Sequence, residues 1–367
     1  MALANTYSGK EFAVYMACDA SIGTVADGNW ANGTRLDVEG ITLPGFSPIQ
    51  EFEMRSGSGR IAEFDQVFQT SKRALTEVTL TGRLTQEVWH MLLENSLADS
   101  VDGGTGSDSV VTLTSAYAPA NLAHGTAFAA DAFENTVSLY FLAPTAADSY
   151  TLVGCVCTNF NVSADMGTAS GRFDFSATFQ TMYAPAKGAV TVSSAAAIGS
   201  NQIFLPDLDD KNIDIKEHAT STDEDDIDPI IQSFNLTIDS PTRFLGAQGS
   251  NAEPEVIARA VPELSITFGG SLKYDAKTDL LQESFRTSGE SYITFYLADV
   301  AVAGTTEIPT GVFFAATSVS KFGMWFAKSK LTSCEVSSDD VAMVNFEAKV
   351  LAASSGNTAH FLAGDNV

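Results

Sequence analysis

Chemistry in this chain would have to rest on four histidines, His90, His124, His218 and His360, and four cysteines, Cys18, Cys155, Cys157 and Cys334. The histidines are scattered, and none stands in a catalytic or metal-ligand motif with a Ser, a Cys or a carboxylate. The cysteines form no CxxC pair, so they read neither as a zinc site nor as a disulfide framework. Cys155 and Cys157 lie two apart, which on a strand puts both on one face, and they are expected in the core of a protein kept in a reducing compartment. The glycine stretches "SGSGR" (56–60) and "GGTGS" (103–107) lack the spacing of a phosphate loop and read as turns. The acidic runs between Pro206 and Pro229 lack the glycine of a calcium loop. The glycosylation-type triplets at Asn161 and Asn235 fall inside strand patterns, and a third stands at Asn32. The expectation is a protein that is not an enzyme and uses no cofactor or metal.

With 367 residues the chain exceeds the roughly 250–300 at which one hydrophobic core stops growing, so two domains are expected. Apolar residues make up 45% and charged residues only 18%, a composition that fits a folded β-rich protein better than a disordered or coiled-coil one. The net charge of −25 repels nucleic acid and anionic membrane, because phosphate affinity comes from Lys and Arg. It also suits solubility in a salty environment. The first twenty residues show neither a basic start followed by an apolar run nor a small-residue cleavage site, and no run approaches the ~18 apolar residues of a membrane span. Synthesis and folding in a cytoplasm are expected.

The chain repeats itself. "IQEFEM" (49–54) returns as "IQSFNL" (231–236), "EVTLTGRL" (77–84) as "ELSITFGGSL" (263–272), "NFNVSAD" (159–165) as "SCEVSSD" (333–339), and "FDFSATF" (173–179) as "VNFEAKV" (344–350). Four matches in one order, with spacings that drift only by loop-sized amounts, indicate an internal duplication. Each segment alternates with period two, the mark of a strand with one buried and one wet face. Phe52 and Met54 oppose Glu51 and Glu53; Phe173, Phe175 and Phe179 oppose Arg172, Asp174, Ser176 and Thr178; Phe346 and Val350 oppose Asn345, Glu347 and Lys349. Each half therefore offers a four-stranded antiparallel sheet with one polar face, and the expected domains are residues 1–188 and 189–367.

A helical pattern follows the second strand of each half. Residues 85–96 place Val88, Trp89, Leu92 and Leu93 on one side with Thr85 as N-cap, and residues 275–289 repeat the plan with Asp275 as cap, Leu281 and Phe285 on one side and Gly289 as stop. Between the first two strands of each half runs a long arm, residues 55–74 and 240–262. Loops of that length are uncommon in compact domains. Phe64, Phe68, Phe244, Leu245 and Ile257 make these arms too apolar for free linkers, so they are expected to dock on a neighbour. The acid-rich segment 206–229 reads as a solvated surface loop near the domain boundary.

The run "IQSFNLTIDSPTRFLG", a long loop, then "PELSITFGGSLKYD" with a short helix after it, resembles the tail tube proteins of long-tailed bacteriophages. The resemblance is clearest over residues 230–295 and extends through the duplication to 48–98, with residues 159–182 and 331–351 matching the closing hairpins. It implies two tandem tube-type antiparallel domains, mainly β, each with a flanking helix and an arm. In that family six domain copies close a β-barrel ring around a lumen, rings stack into a tube that delivers the genome, and the arm contacts the next ring. Most members carry one such domain, and this chain would carry two, so three chains would close one pseudo-hexameric ring. The residues implied to line the lumen are Glu51, Glu53, Glu77, Arg83, Arg172, Asp174, Glu263, Glu335, Glu347 and Lys349. Implied partners are further copies of the chain, tape measure, terminator and baseplate proteins, and double-stranded DNA that passes without tight binding, in a virion tail assembled in the host cytoplasm. The subunit itself is not expected to bind membrane. Baseplate or distal tail ring proteins and the tubes of contractile injection systems share the domain and are alternatives. A monomeric tandem β-sandwich that binds glycans would need exposed aromatic clusters, whereas Trp30, Trp89 and Trp325 lie far apart in the chain.

Overall fold

The computed structural model describes residues 11–21, 23–25, 34–36, 38–42, 48–52, 67–73, 75–97, 101–102, 108–114, 136–168, 171–190, 192, 208, 212–220, 223–227, 230–245, 256–259, 264–287, 292–298, 322–338, 341–351 and 357–364. Among the described residues strands dominate, and nineteen of them join into one antiparallel hydrogen-bonded network that remains open. Two further ladders stand apart from it, each of two strands.

Two strands of sixteen residues organise the network. The first, Tyr150–Asp165, pairs over its beginning with Val137–Leu142 and Ala186–Lys187, and over its end with Asp174–Thr181. The second, Phe322–Ser337, does the same with Tyr292–Ala298, Asn357–Gly364 and Met343–Val350. Each long strand thus passes from one set of partners to another, and these two parts of the network are named, by their pairing alone, the outer and the inner layer. Each carries a bulge at the matching point, between Cys157 and Asn159 and between Leu331 and Ser333, where an unpaired residue lets the strand bend. Asn95 at the end of the first helix holds the first of these bends, its Oδ1 accepting a hydrogen bond from the Cys157 amide at 2.6 Å.

Earlier in the first long strand Gly154 adopts a φ of +60°, where a Cβ would fall 2.7 Å from the Tyr183 ring, so glycine is required there. The Gly154 amide donates to the buried carboxylate of Asp19, which also accepts from Thr136 and Ser138. Burial raises the Asp19 carboxyl above its ordinary value, and these donors act against that by favouring the charged form. One carboxylate therefore fastens together Ala13–Ser21, Val137–Leu142 and the first long strand.

The repeat extends further than the sequence matches. Ala13–Ser21 pairs with Val137–Leu142 as Asn212–Thr220 pairs with Tyr292–Ala298. The inner layer then runs through eight strands: Val38–Ile41, Thr76–Arg83, Asp174–Thr181, the end of the first long strand, Ile231–Asp239, Ser265–Lys273, Met343–Val350 and the end of the second long strand. The halves meet in the middle, where Asn159–Asp165 pairs with Ser233–Asp239. They meet again in the outer layer, where Asp108–Thr114, an insertion of the first half, pairs with the last strand of the second.

Packing follows the same plan. Among the described residues the aliphatic and aromatic side chains from both halves form one large core cluster, including Phe160, Phe175 and Phe179 from the first and Phe234, Phe268 and Phe346 from the second. The first helix, Gln86–Ser96, starts at Thr85, whose hydroxyl accepts from the Val88 amide. It presses Trp89 against Phe160 of its own half and against Phe322 and Phe361 of the other. The second helix, Thr278–Thr287, is preceded by Asp275, whose carboxylate accepts from the amides of Lys277 and Thr278 and is held below the usual carboxylate value chiefly by the Thr278 bond.

Two expectations differ from the structure. The segment 206–229 is not a free loop: Asn212–Thr220 and Asp223–Ile227 form an antiparallel pair at the margin of the outer layer. Ile213 and Ile215 give the first of these strands its inward side, and the acids of "DEDDI" sit on an edge strand, where charge discourages unwanted pairing. Second, the "IQEFEM" segment does not lie beside Thr76–Arg83; Val38–Ile41 holds that place. Pro48–Phe52 pairs instead with Val67–Arg73, which turns the first arm into a separate hairpin, and Thr242–Leu245 with Val256–Arg259 does the same for the second.

A core shared by both halves should melt as one unit. Trp89→Ala leaves a cavity between them and is expected to cost about 3–5 kcal/mol in urea unfolding monitored by far-UV circular dichroism, within a single transition. Two separate transitions in the wild-type chain would contradict a shared core.

Candidate functional site: the polar face of the inner sheet

The inner layer has two unlike faces. One carries Val78, Leu80, Phe160, Val162, Phe175, Phe179, Phe234, Leu236, Phe268 and Phe346, all buried. The other is polar across all of the long strands, because residues at every second position point away from the core. Register aligns these residues into rows running perpendicular to the strands. One row is Arg83, Asp174, Ser163, Asn235, Gly269, Glu347 and Ser333. The next is Thr81, Ser176, Asn161, Thr237, Thr267, Lys349 and Lys330. Beside these lie Thr79, Thr178, Asn159, Asp239 and Ser265 on one side, and Asp165, Ser233, Ser271, Asn345 and Glu335 on the other.

Neighbours across the rows hold one another. Asn161 Nδ2 donates to Thr237 Oγ1 at 2.8 Å, and Asn159 Nδ2 donates to Asp239, both across the junction of the halves. Thr79 and Thr178 share a hydroxyl hydrogen bond, Gln180 Nε2 donates to Glu77, and Ser271 donates to Asn345. The Arg172 guanidinium bonds both carboxylate oxygens of Asp174 at 3.0 and 3.3 Å, and Glu39 bridges Arg83 and Arg172. Such cross-strand pairs tie the short polar side chains of neighbouring strands to one another.

Close approach shapes the face at one point. A Cβ at Gly269 would collide with the carbonyl oxygen of Phe346 on the neighbouring strand, so the row there has no side chain at all.

Of the residues read from sequence as one surface, the structure brings together Glu77, Arg83, Arg172, Asp174, Glu335, Glu347 and Lys349. Glu51 belongs to the separate first-arm ladder, opposite Phe68. Glu53, Glu263 and Phe64 lie outside the described residues. In the second arm Phe244 stands opposite Ile257, and Leu245 opposite Val256. Sequence reasoning missed Glu39 because it belongs to no repeated segment. It also missed the Asn and Thr rows, since alternation marks a polar position without saying which residues become neighbours.

The described part of the face is close to neutral. Glu39, Glu77, Asp165, Asp174, Asp239, Glu335 and Glu347 are accompanied by Arg83, Arg172, Lys273, Lys330 and Lys349, so only a small part of the acid surplus of the whole chain lies there. Among the described residues no helix is long and apolar enough to cross a membrane. No protein-family model matches the chain, and no curated protein matches it. The reading of function therefore rests on the geometry of this face and of the sheet that carries it.

Charges on this face are solvated or paired on the surface, so their removal should be nearly silent: Glu347→Gln and Glu335→Gln are expected to change stability by less than about 0.5 kcal/mol. Gly269→Ala should destabilise by more than about 1 kcal/mol through the collision with Phe346, read by the same denaturant titration. The reverse ranking would mean that the polar face is packed against something.

Proposed function

We propose that this chain is a structural subunit of a tail tube, closing into rings that stack around a channel for double-stranded DNA. The observation that carries this reading is the eight-strand inner sheet, which among the described residues is polar and uncovered on one face and open at both margins. An open sheet exposes unpaired backbone groups along its edges, and closure into a ring satisfies them without any new element. The resemblance of residues 230–295 and 48–98 to phage tail tube proteins supports the same reading, as does the recurrence of one pairing plan in both halves.

On this reading the rows of Ser, Thr and Asn face the channel. DNA binds proteins chiefly through Lys and Arg that neutralise phosphates and release counterions; here Arg83 and Arg172 are occupied by Glu39 and Asp174, while Lys273, Lys330 and Lys349 share the face with Glu77, Asp165, Asp239, Glu335 and Glu347. A lining of short, mutually bonded polar groups offers the duplex little to grip, which suits passage rather than retention. The two arm hairpins, each a lone two-stranded ladder with apolar residues, are marginal in isolation and would gain burial on an adjoining ring.

The duplication sets the stoichiometry. Two domain equivalents per chain and six per ring give three chains, and closed rotational symmetry leaves neither margin of the inner layer unpaired. Native mass spectrometry of the assembled protein should give masses in multiples of three chains of 38.8 kDa. Rings of six chains would contradict a wall built from both halves, and a chain that stays monomeric at high concentration would overturn the tube assignment.

A further inference from the structure

The join between the halves inside one chain is a template for a join between chains. In the chain, Ile231–Asp239 is flanked on both sides: Ile238 lies opposite Ile266 on one side and Phe160 on the other, and Leu236 lies opposite Phe268 and Val162. In the first half Val38–Ile41 occupies the corresponding place, with Ile41 opposite Leu80 and Val38 opposite Gly82; Leu80 and Gly82 face Ala177 and Phe175 as Phe268 and Gly270 face the repeat equivalents Ala348 and Phe346. Its other side has no partner strand among the described residues. At the opposite margin Cys334 lies opposite Phe346 as Val162 lies opposite its repeat equivalent Phe175, so by pairing Cys334 and Val336 hold the places of Val162 and Ala164, and among the described residues this margin pairs on one side only, with Met343–Val350.

The burial pattern marks what is missing. Val162 and Ala164 are buried beneath the second half, whereas Val336, in the place of Ala164, is 36% exposed. Leu92 and Leu93 of the first helix are fully buried, whereas Phe285 of the second helix is 40% exposed. Val38 and Ile41 are only half-buried against the core. Each margin thus carries apolar side chains of the kind that the internal join covers.

We propose that Cys334–Val336 of one chain pairs antiparallel with Val38–Ile41 of a second copy, setting Ile41 opposite Cys334, Gly40 opposite Glu335 and Val38 opposite Val336. This rests on the tube reading and specifies the strands and register by which its rings close. Val38 then covers Val336, and the apolar core runs on from chain to chain as it does from half to half. Gly40, opposite Glu335, leaves that carboxylate free on the polar face.

Directly opposed residues of an antiparallel pair have Cα atoms about 4.5–5.5 Å apart, within reach of a disulfide. Ile41→Cys, with the native Cys334, is assembled, oxidised, denatured and run without reductant. The expected result is conversion of monomer into a covalent species of three chains, absent when Cys334→Ser is added. A second pair, Val38→Cys with Val336→Cys in the Cys334→Ser background, should give the same species and guards against a local failure of the first. If tubes or rings form by negative-stain microscopy and neither pair crosslinks, the proposed register is wrong while the tube reading stands. If the wild-type chain forms no rings at all, both fall.

Discussion

The backbone ladder between Asn159–Asp165 and Ser233–Asp239 is the interaction on which the rest of the molecule depends. Without it there would be two small sheets, each with an exposed hydrophobic margin. With it, the polar rows run unbroken from Arg83 to Ser333 and the aromatic side chains of both halves reach one core. The ladder also decides what the first helix does. Trp89 lies under the second half, touching Phe322 and Phe361, so a side chain that looks like a local cap on its own sheet becomes the seal between two repeats.

Two long strands make this geometry possible. Each serves both layers, and each changes partner near a bulge at the same repeat position. A strand shared by two layers couples them: outer-layer contacts such as the Asp19 carboxylate on Gly154 help to set where the inner-layer half of the same strand begins. Edges are treated unequally. The outer margin ends in the acidic strand Asp223–Ile227, which repels further strands, while the inner margins end in Val38–Ile41 and Cys334–Val336, which carry apolar side chains.

Much of this was legible in the sequence where period-two alternation is strong. Residues 159–165, 173–179, 231–236 and 344–350 became strands with the expected faces, and Thr85 and Asp275 opened the two helical turns as their side chains suggested. Three features were not legible. Ala13–Ser21 and Asn212–Thr220 share a place in the fold but hardly a residue pattern, one largely apolar and the other alternating Ile with charged and polar residues, so only the backbone pairing reveals their equivalence. The acids of 223–227 suggested a loop because charge density signals solvent, and an edge strand is also solvated. Val38–Ile41 took the place expected for the "IQEFEM" strand because Ile41 and Val38 bring the same inward apolar pair to Leu80 and Gly82, a competition between near-equivalent segments that alternation cannot resolve. The site followed the same division: which residues point away from the core could be read, but which of them touch depends on register, and register is a property of the assembled sheet.

The central claim is that the rows of Ser, Thr and Asn on the inner sheet line a closed channel. A helical reconstruction of the assembled protein by electron cryomicroscopy, at a resolution that shows side chains, tests it most directly. The account predicts an axial channel walled by the inner layer, with Asn161 and Thr237 facing the lumen and both halves of each chain contributing to one ring. A particle in which that face packs against protein or looks outward, or in which the second half lies outside the wall, would contradict it.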